Sequence, residues 1–308
     1  MQLINQTTLS KSVIFEGIGL HSGKKSRIKI KPAEASTGIV FKRVDLKQDN
    51  LIIANYKNVS SARLCTTLEN KQGVKVSTVE HLLAALYLVD VDNAIVEINN
   101  EEVPIMDGSA KDFLKTLKNV ELKQLLAKRK YLKVTDKIEF VDGERKISIE
   151  PNDDSLIVDF KLKYENLIIG NQRNTVNFKD DNLNDVASSR TFCLFQDIEK
   201  IKKAGLAKGG SLENAIVVDE EKVLNKEGLR NEKEFVNHKI LDLVGDFLLS
   251  GYRIIGKVKC DQGGHELTNL FLRKVLSKKS LLNVFELNNI FISKKSKSPS
   301  NLKIAVNA

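Results

Sequence analysis

The sequence contains no tryptophan, and aromatic residues make up only 6% of its 308 positions. A platform that stacks the bases of single-stranded nucleic acid needs aromatic faces, so that class is disfavoured. No apolar run approaches the roughly 20 residues that span a bilayer. The opening MQLINQTTLSKSVIFEG lacks the uninterrupted apolar core of a secretory signal. Three cysteines, Cys65, Cys193 and Cys260, form no paired spacing, and an odd number suits a reducing compartment better than a disulfide framework. Together these absences set the expectation of a cytoplasmic protein.

What is present describes an ordinary globular chain, 42% hydrophobic and 29% charged, long enough for two domains with their own cores. The net charge of +9 is scattered over a lysine-rich surface, apart from Lys294, Lys295 and Lys297 in the tail. No basic stripe tracks a phosphate backbone, so no nucleic-acid partner is expected. An anionic substrate or transient contact with a membrane surface remains compatible with the charge.

Strand-like alternation runs through SVIFEG, SRIKIKP, GIVFKR and LIIANYKNV, punctuated by the glycine-flanked turn GLHSG and by Pro32. The period changes at STVEHLLAALYLV, where Ser77 and Glu80 form a capping-box pattern that by itself accounts for Glu80. The strand NAIVEIN and a second helix, AKDFLKTLKNVELK, follow. The charge-rich stretch Leu122 to Lys133 then reads as a domain boundary. Strands resume with a hairpin turning at Asp142-Gly143 and with SLIVDFKLKY. The helix QDIEKIKKAGLA, the glycine-rich KGGSLENAIVV, a long helix near 232–250, the strand YRIIGKVKC and a last helix after GGH complete the pattern. Strands precede helices in each half, which predicts an α+β fold of two side-by-side domains. Each is a mostly antiparallel sheet layered against helices, over 1–125 and 126–293. A basic tail, 294–308, is expected to be disordered.

Within the apolar helix FVNHKILDLVGDFLLS, His238, Asp242 and Asp246 recur at i, i+4 and i+8, which places them on one stripe. Buried carboxylates must be paired, hydrogen-bonded or metal-bound. The stripe is therefore either a hydrogen-bonded polar seam or a site. The chain's four histidines, His21, His81, His238 and His265, all stand at element ends or on this stripe. His238 and Asp242 can offer a metal two ligands from one helical face; His81 is the obvious third, with Glu80 beside it where a general base belongs.

STVEHLLAALY, PIMDGSA, SRTF, GLAKGGSLENAIVV, EFVNHKILDLVGD and GGHELTN occur in this order over roughly residues 7 to 275. The set resembles the UDP-3-O-acyl-N-acetylglucosamine deacetylases, zinc amidases that commit lipid A synthesis in Gram-negative bacteria. The resemblance implies two α+β domains with the active site between them, and one Zn2+ per chain on His81, His238 and Asp242, ligands that Fe2+ could also occupy. It implies Glu80 as general base, Thr191 and Lys239 as stabilisers of the oxyanion, and His265, oriented by Asp246, as the acid for the leaving amine. Phe192, His21 and Lys239 would contact an acylated UDP-amino sugar, with the acyl chain in an apolar passage built by 193–222. A monomer is expected.

Two departures stand out. Cys193 follows SRTF where the family usually has glycine, which puts the width of the acyl passage in question, and the CDQ before GGH has no confident match. Cys65 resembles a cysteine near the family's active site and reads as structural. The competing classes are a nucleotide- or lipid-binding protein that keeps the fold without catalysis, and a basic nucleic-acid binder. The first would have lost ligands or acid–base residues, yet none is missing; the second would need a basic or aromatic stripe.

Overall fold

The computed structural model describes residues 3–287, so the expectation for the tail from 294 lies outside the described residues. The first sheet has the strand order Val13–Ile18, Lys25–Pro32, Ala94–Ile98, Ile39–Arg43, Leu51–Ile53. Its neighbours run antiparallel except Ala94–Ile98 beside Ile39–Arg43, which are parallel. Alternation explains these strands: Ile28 and Ile30 are fully buried, and the lysines and arginine between them face outward. The second sheet is seven-stranded and built around the long strand Arg253–Asp261. That strand has Arg145–Glu150 antiparallel on one side, and Lys130–Val134 and then Leu156–Lys163 parallel on the other. The α+β expectation and the mostly antiparallel pairing agree with this architecture.

Six helices accompany the sheets among the described residues: α1 (Glu80–Leu88), α2 (Lys111–Lys118), α3 (Asn184–Ser188), α4 (Ile198–Lys203), α5 (Glu234–Leu248) and α6 (His265–Ser277). The first two arise among strands of the first sheet and the last two among strands of the second. Helices α1 and α5 are buried along most of their lengths and pack directly on one another. Gly245 makes this possible, because a Cβ there would stand 2.1 Å from the Glu80 carbonyl oxygen. Two helices in such contact can bring residues of both to one point.

Several strands escape a reading by pattern, among them Lys130–Val134 inside the second sheet and three that lie outside the sheets' centres. Leu122–Lys128 belongs to a two-stranded ribbon with Asn5–Leu9, so the stretch read as a charged boundary is ordered strand. Asn171–Asn177 and Leu282–Glu286 each pair with a single neighbour. Edge strands carry polar side chains on both faces, which erases the alternation that marks a half-buried strand.

The capping box is also not formed. Helix α1 starts at Glu80 itself with no side-chain cap, and the Ser77 hydroxyl donates instead to the Glu101 carbonyl at 3.1 Å. Thr78 adopts a left-handed φ of 56°, which turns the chain so that Ser77 cannot reach back over the helix. The carboxylate of Glu80 is released for other work.

Candidate active site and metal centre

Helix α5 presents the polar stripe on its buried face: His238, Asp242 and Asp246 are each at most 4% exposed. Against it, the first turn of α1 sets Glu80 and His81. The two imidazoles meet edge to face, with ring centroids 5.0 Å apart. Nε2 of His81 lies 3.5 Å from Asp242 Oδ1, and Nε2 of His238 lies 3.4 Å from the same oxygen. That oxygen is buried and makes no hydrogen bond. Ligand atoms of His81, His238 and Asp242 lie within 4.8 Å of one another, enough to surround one ion.

The tautomer of His238 suits a metal. Its Nδ1 faces the Ser189 carbonyl at 3.0 Å and must carry the proton, leaving the Nε2 lone pair free. Burial, opposed by Asp242, pushes its pKa down to about 3, so the ring is neutral. Burial works against ionisation of Asp242, but His238, Lys239 and His265 outweigh it and hold the carboxylate well below its usual range. Two imidazole nitrogens and one ionised oxygen form a donor set that fits a divalent transition metal.

Beside this trio Glu80 and His265 face each other. His265 stands at the start of α6 with Nδ1 2.8 Å from Asp246 Oδ2. Its Nε2 is 3.7 Å from Glu80 Oε1 and 3.9 Å from Asp242 Oδ2. Burial disfavours its charge, yet Asp246, Glu80 and Asp242 prevail and raise its pKa to about 10. Burial raises the pKa of Glu80 as well, against the pull of His265 and His81. Both shifts raise proton affinity, and strongly perturbed titratable groups facing each other in a buried site are a usual mark of proton-transfer chemistry.

The other expected residues assemble around the same space. Lys239 Nζ is 3.0 Å from Asp242 Oδ2 and 5.5 Å from the centroid of the Phe192 ring, which also stands 6.2 Å from the His238 ring. Burial opposes the lysine's charge, but Asp242 and the other nearby groups keep its pKa raised. Thr191 and Lys239 line, with the ligand trio, Glu80 and His265, a cavity of about 30 Å³. That chamber opens onto an apolar cavity of about 350 Å³, with Leu20, His21, Leu64 and Thr191 lining both. Phe192, Cys193, Phe195 and Ile201 line the larger one, so Cys193 does project into the passage. His21 bonds to none of the acid–base groups: Nδ1 accepts from the Ala207 N–H at 3.4 Å and Nε2 is buried without a partner. Burial lowers its pKa.

Residues that carry no sequence signal complete the arrangement. The Thr66 N–H donates to Glu80 Oε2 at 3.1 Å, and its hydroxyl donates to Asp246 Oδ1 at 2.6 Å. Arg190, 1% exposed, donates from both its backbone N and Nε to Glu234 Oε1, which fixes the loop bearing the Ser189 carbonyl and Thr191. Glu102 accepts from Thr78 Oγ1 and from the backbone N–H groups of His21 and Ser22, tying the GLHSG turn to the start of α1. Only the fold reveals such pairings.

Comparison with known proteins gives the same picture. The family model for UDP-3-O-acyl N-acetylglycosamine deacetylase matches residues 6–277. A UDP-3-O-acyl-N-acetylglucosamine deacetylase from Geotalea uraniireducens is 43% identical over 283 residues, 92% of each chain. Proteins of the same name from Pasteurella multocida and Haemophilus ducreyi are 41% and 38% identical, covering 89% and 90% of this chain and 91% and 92% of their own. The chain belongs to the UDP-3-O-acyl-N-acetylglucosamine deacetylase family.

Proposed function

We propose that this protein is a zinc-dependent amidase that removes the N-acetyl group from a UDP-3-O-acyl-N-acetylglucosamine, releasing acetate and the free amine in the committed step of lipid A synthesis. The observation that carries the reading is the facing pair Glu80 and His265, set beside a buried His–His–Asp trio whose Asp242 Oδ1 lacks a partner. His81, His238 and Asp242 would hold the metal. Zinc, when bound, supplies Lewis-acid activation of water and of the amide carbonyl.

The side chains divide the remaining work. Glu80, its proton affinity raised by burial, accepts the proton of the attacking water. The Thr191 hydroxyl and the Lys239 ammonium meet the negative charge that develops on the carbonyl oxygen, a preorganised contribution that is usually the largest. His265, held cationic beside Asp246, donates to the departing amine nitrogen. A chamber of about 30 Å³ has room for little more than one water. The adjoining apolar cavity suits the 3-O-acyl chain, and Phe192, His21 and Lys239 flank the passage between the two.

On this reading residues 1–125 and those from 126 onward are two domains, and the reaction takes place where α1 of one meets α5 of the other. Every residue named belongs to a single chain, so a monomer suffices. Among the described residues no helix is long and apolar enough to cross a membrane, and a cytoplasmic enzyme fits the nucleotide-linked substrate. Phe195, Leu64 and Leu212 are about half exposed at the rim of the apolar cavity, beside the lysines of α4. Such a rim suits brief contact with a lipid surface.

The test is acetate release from UDP-3-O-(3-hydroxyacyl)-N-acetylglucosamine by protein as purified, after chelation, and after stoichiometric zinc or iron(II) is returned. Activity lost with the chelator and restored by zinc supports both reaction and metal. Restoration by iron alone would replace the zinc assignment. A metal-replete protein that never releases acetate would sink the reading.

A further inference from the structure

Thr66 joins the base to the acid. It is 2% exposed and stands two residues after Leu64, whose left-handed φ of 64° is a backbone state that non-glycine residues seldom adopt without support. Its N–H holds one oxygen of Glu80 at 3.1 Å, and its hydroxyl holds one oxygen of Asp246 at 2.6 Å. The second oxygen of Asp246 takes Nδ1 of His265, and Nε2 of His265 faces the second oxygen of Glu80. The contacts form a closed ring: Thr66, Glu80, His265, Asp246 and back to Thr66.

We propose that Thr66 is a positioning residue for the deacetylation, its hydroxyl setting the Asp246 carboxylate so that His265 aims Nε2 at the reacting centre. The inference rests on the deacetylase reading of the site. A short bond from a hydroxyl to an ionised oxygen is among the stronger hydrogen bonds. Without it the buried Oδ1 of Asp246 has no donor among the described residues and the carboxylate is free to rotate. The imidazole then follows its partner. Near a reacting bond a displacement of the order of 1 Å costs roughly 100-fold in rate. The backbone contact to Glu80 survives any side-chain change, so the hydroxyl can be tested alone.

The experiment uses the full chain loaded with metal, as Thr66→Val, which keeps the shape, and Thr66→Ser, which keeps the hydroxyl. Thr66→Val is expected to lower kcat by roughly 10- to 100-fold, as loss of outer-sphere partners does. KM for the acylated substrate and metal stoichiometry stay as in the unsubstituted chain, and Thr66→Ser recovers most of the rate. Proton NMR supplies a readout that simple destabilisation does not move. The downfield ring N–H signal of His265, assigned by its loss in His265→Gln, should shift in the valine variant and return in the serine variant. Should valine not fold, Thr66→Ala gives the same contrast with serine. Unchanged kcat in Thr66→Val, equal losses in valine and serine, or a lost rate with the His265 signal unmoved would each overturn the proposal. Acetate release by the unsubstituted chain tests the deacetylase reading separately, and the NMR contrast does not depend on the substrate.

Discussion

Helix α1 has a cluster of charges at each end, and the two are built on different principles. Beyond its C-terminal end, Arg129 donates to Asp92 Oδ2 from Nε and Nη2 at 3.0 and 2.8 Å, and to Asp90 Oδ1 from Nη1 at 2.7 Å. Arg253 donates to the carbonyls of Tyr87 and Val91, stacks 4.3 Å over the Tyr87 ring, and places Nε 3.5 Å from Asp92 Oδ1. Two cations answer two anions and each carboxylate is engaged; the buried atom there without a hydrogen bond is Arg253 Nε, a guanidinium nitrogen with no lone pair to offer a metal. At the N-terminal end, Glu80, Asp242 and Asp246 face three imidazoles and Lys239. There Asp242 Oδ1 and His81 Nδ1 are left without hydrogen bonds. A network whose carboxylates are all engaged clamps a fold; one that leaves a carboxylate oxygen and an imidazole nitrogen unpaired side by side has room for something else. Neither charge in the core nor a lone unsatisfied atom marks a site, whereas unpaired lone pairs converging on one point do.

The sharpest way to break the comparison is to remove one charge from each end. Glu80→Gln keeps the shape and the contact with the Thr66 N–H but cannot take a proton. We expect kcat for acetate release to fall by roughly 10²- to 10⁴-fold, with metal content and thermal midpoint essentially retained. Near-normal turnover would reduce Glu80 to the first residue of a helix. Arg129→Leu should do the reverse. Stripping one partner from a buried ion network costs about 3 kcal/mol, read from urea unfolding, while kcat of the folded, metal-loaded fraction stays the same. A variant as stable as the unsubstituted chain would show that the C-terminal cluster is no clamp.

A subtler substitution tests how the N-terminal cluster is assembled. Gly245→Ala adds one methyl group 2.1 Å from the Glu80 carbonyl oxygen, too close for the helices to keep their separation. Overpacking of this kind costs about 2 kcal/mol, and here it also moves His81 away from Asp242. Weaker metal retention during dialysis against a chelator is the expected signature. An alanine variant that holds its metal as firmly as the parent would mean that the helices shift without disturbing the ligands.

How much of the molecule is legible in its sequence depends on which interactions are local. The stripe of α5 can be read because helical periodicity brings His238, Asp242 and Asp246 together within one element. Most inner strands of both sheets can be read because one face is buried; Lys130–Val134 is an exception, its lysines merging with the charged stretch before it. The strand Asn171–Asn177 cannot, since its polar side chains serve an edge and resemble a loop. Glu80 is half legible: its position is right, but the capping box that also explains it fails once Thr78 turns into the left-handed region. The roles assigned to the site residues come from family resemblance rather than from pattern. Thr66, the Ser189 carbonyl and the Arg190–Glu234 pair have no pattern to betray them, because their partners lie 14 to 180 residues away in sequence and in other elements.

The cysteines sharpen the contrast between the buried polar seam and the open apolar passage. Cys65 lies next to Thr66; burial, and after it the charge of Glu80, pushes its thiol up to about 12. Burial, then Asp261, does the same to Cys260. Burial and Asp197 also raise the thiol of Cys193, but that side chain is only half-buried and lines the passage. The thiolate is the reactive form, so a thiol with a pKa near 12 is about one part in ten thousand reactive at pH 8, rising tenfold with each pH unit. Iodoacetamide at pH 8 is therefore expected to label Cys193 well ahead of the other two, as peptide mass mapping over time would show. The label should raise KM for a long-chain substrate by a few-fold while leaving kcat nearly intact, because it narrows the passage without touching the acid–base pair. Labelling of Cys65 at the rate of Cys193 would mean that water reaches the seam freely, and the distinction between a buried polar seam and an open passage would fall.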